Sequence, residues 1–210
     1  MTPSETQDIV DALARGDYPD VPAPDLAEAA QAIAVEIASA TSTLDKHVVR
    51  TIVDTFRRHR HFDLVQSVGQ AWHDARGCDP VIQRLLAQAT VELGGLDQAQ
   101  ILLNEVQRGA EADPADLEYV RQGADYHGLR GRIRKQRYVR TQDVNELRAA
   151  VDCYRKQSDA SPSFFLDVNV LALRTRLLDE IGADPYDPPL REFARSVLEQ
   201  AKTKAAADAD

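Results

Sequence analysis

Apolar residues recur every three or four positions along most of this chain, which is the spacing of the buried face of an amphipathic α-helix. In the middle of the chain the pattern forms four consecutive stripes. The stripes are Val49, Ile52, Val53 and Phe56; Phe62, Val65, Val68 and Trp72; Leu85, Leu86 and Ala89; and Leu96, Ala99, Leu102, Leu103 and Val106. This pattern predicts helices that pack against one another along these faces.

The stripes repeat at an interval of 34 residues. Pro80 and Pro114 are separated by this interval, and the same shift carries Ile52 to Leu86. A helix pair of this length resembles the tetratricopeptide repeat. Such a pair cannot bury its apolar faces alone, so it stacks on its neighbours. The sequence therefore predicts an all-α, tetratricopeptide-like α-solenoid of about four helix pairs.

The second half of the chain continues the pattern less regularly. The third pair is predicted as a helix through 126–133 and a helix through 146–154, with an enlarged loop over 138–143 between them. A further helix is expected after Pro162, with an apolar face formed by Phe164, Phe165, Val168, Leu171, Ala172 and Leu178. The last predicted helix carries Leu190, Phe193, Val197 and Leu198.

The N-terminal part of the chain predicts a short helix over 4–15 and an alanine-rich helix over 25–40. Asp25 is the expected N-cap of the second helix, because a carboxylate there accepts hydrogen bonds from free backbone N–H groups. This element is expected to cap the solenoid, since a terminal repeat needs one solvated face. The predicted divisions are an N-terminal helical cap (1–40), a repeat domain (41–204) and a frayed tail (205–210).

The composition is that of a folded protein, with 43% hydrophobic residues, 28% charged residues and a net charge of −9. The first residues, MTPSETQDIV, lack the basic and apolar segments of a secretion signal, and no stretch approaches about 18 consecutive apolar residues. We therefore expect a cytoplasmic protein. Cys78 and Cys153 lie far apart, which predicts two reduced thiols and no structural zinc site.

Three segments of the second half match a known pattern: HGLRGRIRKQ (127–136), ELRAAVDCYRKQSDASP (146–162) and SFFLDVNVLALR (163–174). They resemble bacterial tetratricopeptide proteins related to the TRAF-binding region of apoptosis signal-regulating kinases. The matching positions are Gly128, Leu129, Gly131, Arg132, Ile133, Lys135, Tyr154, Pro162 and Asn169. The resemblance implies a regulatory or scaffolding role in signalling or defence-type systems, and it implies no catalytic residues.

Basic residues are concentrated between positions 130 and 140. In a tetratricopeptide stack the first helix of each pair faces the concave groove, so these residues are expected to join arginines of earlier first helices. The predicted partner-binding residues are Arg50, Arg57, Arg84, Arg132, Lys135 and Asn169. Arginine binds carboxylates through two parallel hydrogen bonds, which suits an acidic peptide or a free C-terminus. The alternatives are that these charges are solvated or paired within the protein, or that they contact RNA or a nucleotide.

The sequence gives little support for a metal site or for catalysis. His59 and His61 are two positions apart, which on a helix places them on different sides, so a surface position near a turn is favoured over a metal site. Neither a GxSxG elbow nor a GxxxxGK(S/T) loop is present. We therefore predict an adaptor or regulatory subunit without enzymatic activity, cofactor or metal. The alternative is a regulatory subunit that contacts nucleic acid through the 130–140 cluster.

Overall fold

The computed structural model describes residues 2–39, 41–42, 44–113, 115–160, 164–184 and 188–207, and the regular elements in these ranges are all helices. The predicted all-α fold is therefore confirmed. The helices are α1 (Pro3–Ala14), α2 (Ala23–Ala38), α3 (Lys46–Arg58), α4 (Phe62–Arg76), α5 (Pro80–Glu92), α6 (Leu96–Ala112), α7 (Leu117–Thr141), α8 (Val144–Ala160), α9 (Phe164–Glu180) and α10 (Pro188–Ala207). The predicted breaks at Pro114 and Pro162 lie outside the described residues.

The chain divides into two compact units, Met1–Gln122 and Gly123–Asp210. Helix α7 begins in the first unit and ends in the second. The predicted boundaries at residues 40 and 204 remain predictions. Helix α10 runs to Ala207, so it overlaps the predicted tail, and residues 208–210 lie outside the described part of the chain.

The first unit is built from consecutive helices that pack in pairs. Helix α1 contacts α2, α3 contacts α4, and α5 contacts α6, while α1, α3 and α5 also touch in sequence. Phe56 and Val65 lie fully buried between these helices, and Trp72, the single tryptophan of the chain, is 9% exposed in the same core. Most residues of the first three predicted stripes lie in this core, and α1 and α2 add Leu13 and Ile33 to it. The residues of the fourth stripe, Leu96 to Val106, are also buried.

Helix starts in the first unit are fixed by side chains that accept hydrogen bonds from free backbone N–H groups. The Asp45 carboxylate accepts from the N–H groups of residues 47 and 48, and the Asp79 carboxylate accepts from those of residues 81 and 82. The prediction that Asp25 caps α2 is wrong. Pro22 occupies the cap, the helix begins at Ala23, and Asp25 lies in the first turn. Proline is tolerated in the first turn of a helix, so Pro24 does not delay the start of α2.

The second unit has its own apolar core, and it corrects two sequence predictions. Helix α7 runs to Thr141 and α8 begins at Val144, so the enlarged loop predicted over 138–143 is a connection of only two residues, Gln142 and Asp143. Tyr138 extends the helix because its ring is buried and its hydroxyl donates a 2.6 Å hydrogen bond to Glu180 Oε1 on α9.

The buried face of α9 also differs from the predicted one. Leu166, Val170 and Leu173 point into the core, whereas Phe165 is 69% exposed and Val168 is 38% exposed. The apolar residues of α9 are spread around the helix and not confined to one stripe, so periodicity alone does not identify the face that packs. The core of this unit comprises Tyr138, Leu147, Ala150, Val151, Tyr154, Leu166, Val170 and Leu173.

The end of α4 depends on a backbone conformation that is nearly restricted to glycine. Gly77 has φ +83° and ψ −163°, and a Cβ atom added there would meet nothing within 4 Å. We predict that Gly77→Ala lowers the free energy of unfolding by about 1–3 kcal/mol through backbone strain alone. Urea denaturation followed by circular dichroism measures this change. The exposed Ala75→Ser variant is the control and should stay within about 0.5 kcal/mol of the wild type; an equal loss in both variants contradicts the prediction.

Candidate binding surface

The second half of α7 carries the densest positive charge of the protein. Residues 126–141, which we call the basic α7 segment, contain six arginine or lysine residues and no acidic residue, although the whole chain has a net charge of −9. Lys135 and Arg140 are exposed, and the other four basic side chains are partly buried. A helix of this composition produces a strong local positive potential, which attracts anionic groups.

Close packing against α8 positions the basic α7 segment. A Cβ atom at Gly131 would lie only 2.7 Å from a ring carbon of Tyr154, so the aromatic ring packs directly on the α7 backbone. Tyr154 is 4% exposed, and burial raises the pKa of its hydroxyl to about 12 despite the positive charge of Arg132. Tyr154 therefore stays protonated at neutral pH and acts as a packing residue.

Two arginines of the basic α7 segment are held in place by neighbouring side chains. The Arg134 guanidinium donates to both carboxylate oxygens of Glu146 on α8, each at 2.9 Å. The Arg130 guanidinium lies 4.6 Å from the centre of the Tyr126 ring, within range of a cation–π interaction. Arg134 is therefore paired within the protein, as Arg50 is, and Arg130 is held beside an aromatic ring.

The positive charge of this surface acts on the pKa of two neighbouring groups, His127 and Cys153, in addition to the effect of burial. Burial lowers the pKa of His127, and the charges of Lys156 and Arg130 lower it further. Burial raises the pKa of the Cys153 thiol more than the charges of Arg130, Arg134 and Lys156 lower it, which keeps the thiol protonated. Charges from both α7 and α8 thus act on one surface, which holds a neutral imidazole and an unreactive thiol at neutral pH.

Arg50, predicted to line the groove, is committed to ion pairs within the first unit. Its Nε donates to Asp79 Oδ1 at 3.0 Å, and its Nη1 and Nη2 donate to Glu118 at 2.9 Å and 2.8 Å. Burial alone would lower the pKa of Arg50, but the hydrogen bonds to Asp79 and Glu118 outweigh it and raise the pKa. Because Asp79 also caps α5, Arg50 joins the starts of α5 and α7 to α3. The sequence analysis left open that the basic residues are paired within the protein, and Arg50 is paired in this way.

The other predicted binding residues lie in both units. In the first, Arg57 pairs with Asp54 at 2.8 Å, and Arg84 is half-buried on α5. The second holds Arg132 and Lys135, three positions apart on α7, and Asn169, whose side chain donates to the Phe165 carbonyl of its own helix at 2.8 Å. A continuous groove formed by all six residues remains a prediction.

His59 and His61 contact an aromatic residue that the sequence analysis did not single out. The Tyr18 ring stacks on His59 with 3.8 Å between ring centres, and the Tyr18 hydroxyl lies 2.6 Å from Nε2 of His61. The three residues join the connection between α1 and α2 to the turn between α3 and α4. No sequence signal links residue 18 to residues 59 and 61, because the contact depends on how the two hairpins pack.

Comparison with known proteins adds the following findings. A protein-family model described as Tetratricopeptide Repeats-Sensor matches residues 59–174, more than half of the chain. The matched region runs from the turn after α3 into α9 and includes the entire basic α7 segment. No curated protein and no solved structure matches the chain. Across the ranges placed in the structure, no helix is long and apolar enough to cross a membrane.

The contact between Gly131 and Tyr154 predicts that the effect of Gly131→Ala on stability depends on the residue at position 154. In the wild type, Gly131→Ala should lower the free energy of unfolding by about 1–2 kcal/mol, because the new methyl group overlaps the ring. In a Tyr154→Leu background the same change should be neutral or stabilise by up to about 1 kcal/mol, since alanine favours the helix. Denaturation followed by circular dichroism measures both values; an equal loss in both backgrounds would show that the ring is not the cause.

His127 predicts a specific dependence of stability on pH. Its pKa is lower in the folded protein than the ordinary value of 6.5, so the unfolded chain binds a proton first as the pH falls. This contribution to stability is complete above the unfolded pKa and is lost as the pH falls from about 6.5 towards the folded pKa. We expect the wild type to lose more stability between neutral and mildly acidic pH than His127→Gln does. Urea titrations at both pH values measure the difference, and parallel losses contradict the prediction.

Proposed function

The chain belongs to the Tetratricopeptide Repeats-Sensor family, and from this premise we propose that it is a non-catalytic adaptor or regulatory subunit that holds an acidic segment of another protein. Membership in the family agrees with the repeat architecture predicted from the 34-residue interval. Stacked repeats of this kind generally serve protein–protein interaction through extended surfaces.

The observation that carries the proposal is the charge of the basic α7 segment. Residues 126–141 contain six basic residues and no acidic residue, whereas the chain as a whole has a net negative charge. Carboxylates are the complementary groups, because a guanidinium fork accommodates a carboxylate through two short, charge-assisted hydrogen bonds. An acidic peptide lying along α7 satisfies several of these cations at once.

Arg132 and Lys135 are the proposed primary contacts within this segment. They are three positions apart, so they project from neighbouring positions on one side of α7. Arg50 and Arg57 already pair with carboxylates of the first unit, so the proposal gives them a structural role. Arg84 and Asn169 stay in the proposal as secondary contacts.

The proposed setting is the cytoplasm of a bacterial cell, in a signalling or defence-type system. The family description, which refers to a sensor, and the pattern within 127–174 support this setting. Contact with nucleic acid through the same segment is the second candidate. It is favoured by the arginines, since their forks also match phosphate groups.

The proposal is tested by binding a short, fluorescein-labelled peptide rich in glutamate. The double variant Arg132→Glu with Lys135→Glu should bind the peptide about tenfold more weakly or worse, because each lost charge-assisted hydrogen bond contributes on the order of 1.5–3 kcal/mol. The matched control, Arg195→Glu with Lys202→Glu, makes the same charge change on exposed positions of α10 and should retain binding. Circular dichroism checks that both variants stay folded.

A parallel titration with a short single-stranded RNA separates the two candidates. Nucleic acid binding releases counterions, so the logarithm of its affinity falls steeply with the logarithm of salt concentration, whereas the peptide should show a shallow slope. Tight, steeply salt-dependent RNA binding with no peptide binding favours the second candidate. Unchanged peptide affinity in the double variant rejects the proposed surface.

A further inference from the structure

The N-terminal hairpin formed by α1 and α2 has the opposite charge character to the basic α7 segment. Residues 2–39 contain eight acidic residues and one basic residue, Arg15. Seven of the eight acidic side chains are exposed, and Asp25 is half-buried: the exposed residues are Glu5, Asp8, Asp11, Asp17, Asp20, Glu28 and Glu36. The chain therefore carries two surfaces of opposite sign, one in each of its compact units.

The acidic hairpin also has a shape that suits a long basic side chain. A groove of about 420 Å³ is lined by Glu5, Asp8, Ile9, Val21 and Asp25. Its lining combines the apolar side chains of Ile9 and Val21, which suit an aliphatic stem, with the carboxylates of Glu5, Asp8 and Asp25, which suit a charged head. Arginine and lysine combine these two properties, since their methylene stems pack on apolar surface and their charged ends stay near polar groups.

We propose that the acidic partner of the basic α7 segment is the α1–α2 hairpin of a second copy of this chain. This inference rests on the proposed function, because it names the occupant of the same surface. The argument is charge complementarity: the basic α7 segment has six basic residues, of which Arg134 is paired with Glu146, and no acidic one, and the hairpin has eight acidic residues and one basic one. Complementary potentials of this kind steer association and select the partner.

The two contact surfaces are different, so the contact is heterologous. Each copy offers its hairpin to one neighbour and its α7 to another, and such contacts extend into open chains unless the geometry closes a ring. Exposed charges are screened beyond a Debye length, which is about 10 Å at 0.1 M salt. Association is therefore expected to grow with protein concentration and to weaken strongly with salt.

The test measures the mass of the full chain by sedimentation velocity at several protein concentrations, at ionic strengths of about 0.05 M and about 0.5 M. At low salt the weight-average mass should rise with concentration above the 23.2 kDa of one copy, and at high salt it should return towards that value. A wild type that stays monomeric at low salt across these concentrations overturns the inference.

Charge reversal makes the test specific. Asp8→Lys with Asp11→Lys on the exposed face of α1 should weaken self-association by about tenfold or more, and so should Arg132→Glu with Lys135→Glu. In the first variant the net charge of the hairpin changes from −7 to −3 and the basic α7 segment is intact. In the second, the net charge of the basic α7 segment changes from +6 to +2 and the hairpin is intact. A mixed pair therefore contains one unaltered contact. Neither should associate with itself, but an equal mixture of the two should associate again. A folding defect does not produce this rescue.

The matched control reverses two acidic residues outside the hairpin. In Asp74→Lys with Glu111→Lys, each carboxylate replaced accepts a hydrogen bond from a glutamine four positions earlier, as Asp11 does from Gln7. This control has the same charge change as the α1 variant and should associate like the wild type. Loss of association in the control, or none in the α1 variant, contradicts the inference.

Failure of this inference is distinguishable from failure of the proposed function. The glutamate-rich peptide is titrated into the Asp8→Lys, Asp11→Lys variant, whose α7 is intact. If the peptide binds and the wild type does not self-associate, the partner is another protein and only this inference is lost. If the peptide does not bind and no self-association occurs, both proposals are lost.

Discussion

The packing of the Tyr154 ring on the α7 backbone at Gly131 is the contact on which the candidate surface depends. It brings α7 and α8 close enough for Arg134 to reach Glu146, and it places Lys156 where its charge acts on His127. A larger residue at position 131 would separate the helices and spread these charges. The binding surface is therefore a product of core packing as much as of the charged residues that line it.

Charge in this protein is divided between structural and binding roles by its surroundings. Arg50 is 14% exposed at its side chain and meets two carboxylates, so its charge holds three helices together. Lys135 is exposed on a helix whose second half has no acidic residue. Both are basic residues on helices that begin a predicted pair. What distinguishes them is the presence of Asp79 and Glu118 beside the first.

The helices of the first unit were predictable because their periodicity is clean and their ends carry local signals. Asp45 and Asp79 cap helices, and Gly94 adopts φ +89° in the turn between α5 and α6. Local signals were weaker in the second unit. The arginines of α7 mask its apolar spacing, so the length of α7 was decided by tertiary contacts. The apolar residues of α9 are not confined to one face, so tertiary contacts also decided which face of α9 packs.

The candidate surface was predictable only in part. The concentration of basic residues on α7 is visible in the sequence, but the ion pairs of Arg50 join positions 29 and 68 residues apart, and local patterns do not encode such distances. The same holds for Tyr18 and His61, which are 43 residues apart. Contacts between residues so distant in sequence depend on how the helix hairpins stack. Periodicity predicts that the hairpins stack, but it does not predict which side chains meet.

The position of Trp72 has a practical consequence. It is the single indole of the chain, and it is buried in the first unit, so intrinsic fluorescence reports the melting of that unit. The second unit contains the buried phenols of Tyr126, Tyr138 and Tyr154 and no indole. Four of the six tyrosines belong to the second unit, so absorbance of the phenols reports mainly on that unit and emission from the indole on the first. Comparing the two signals would reveal whether the units melt together or in succession.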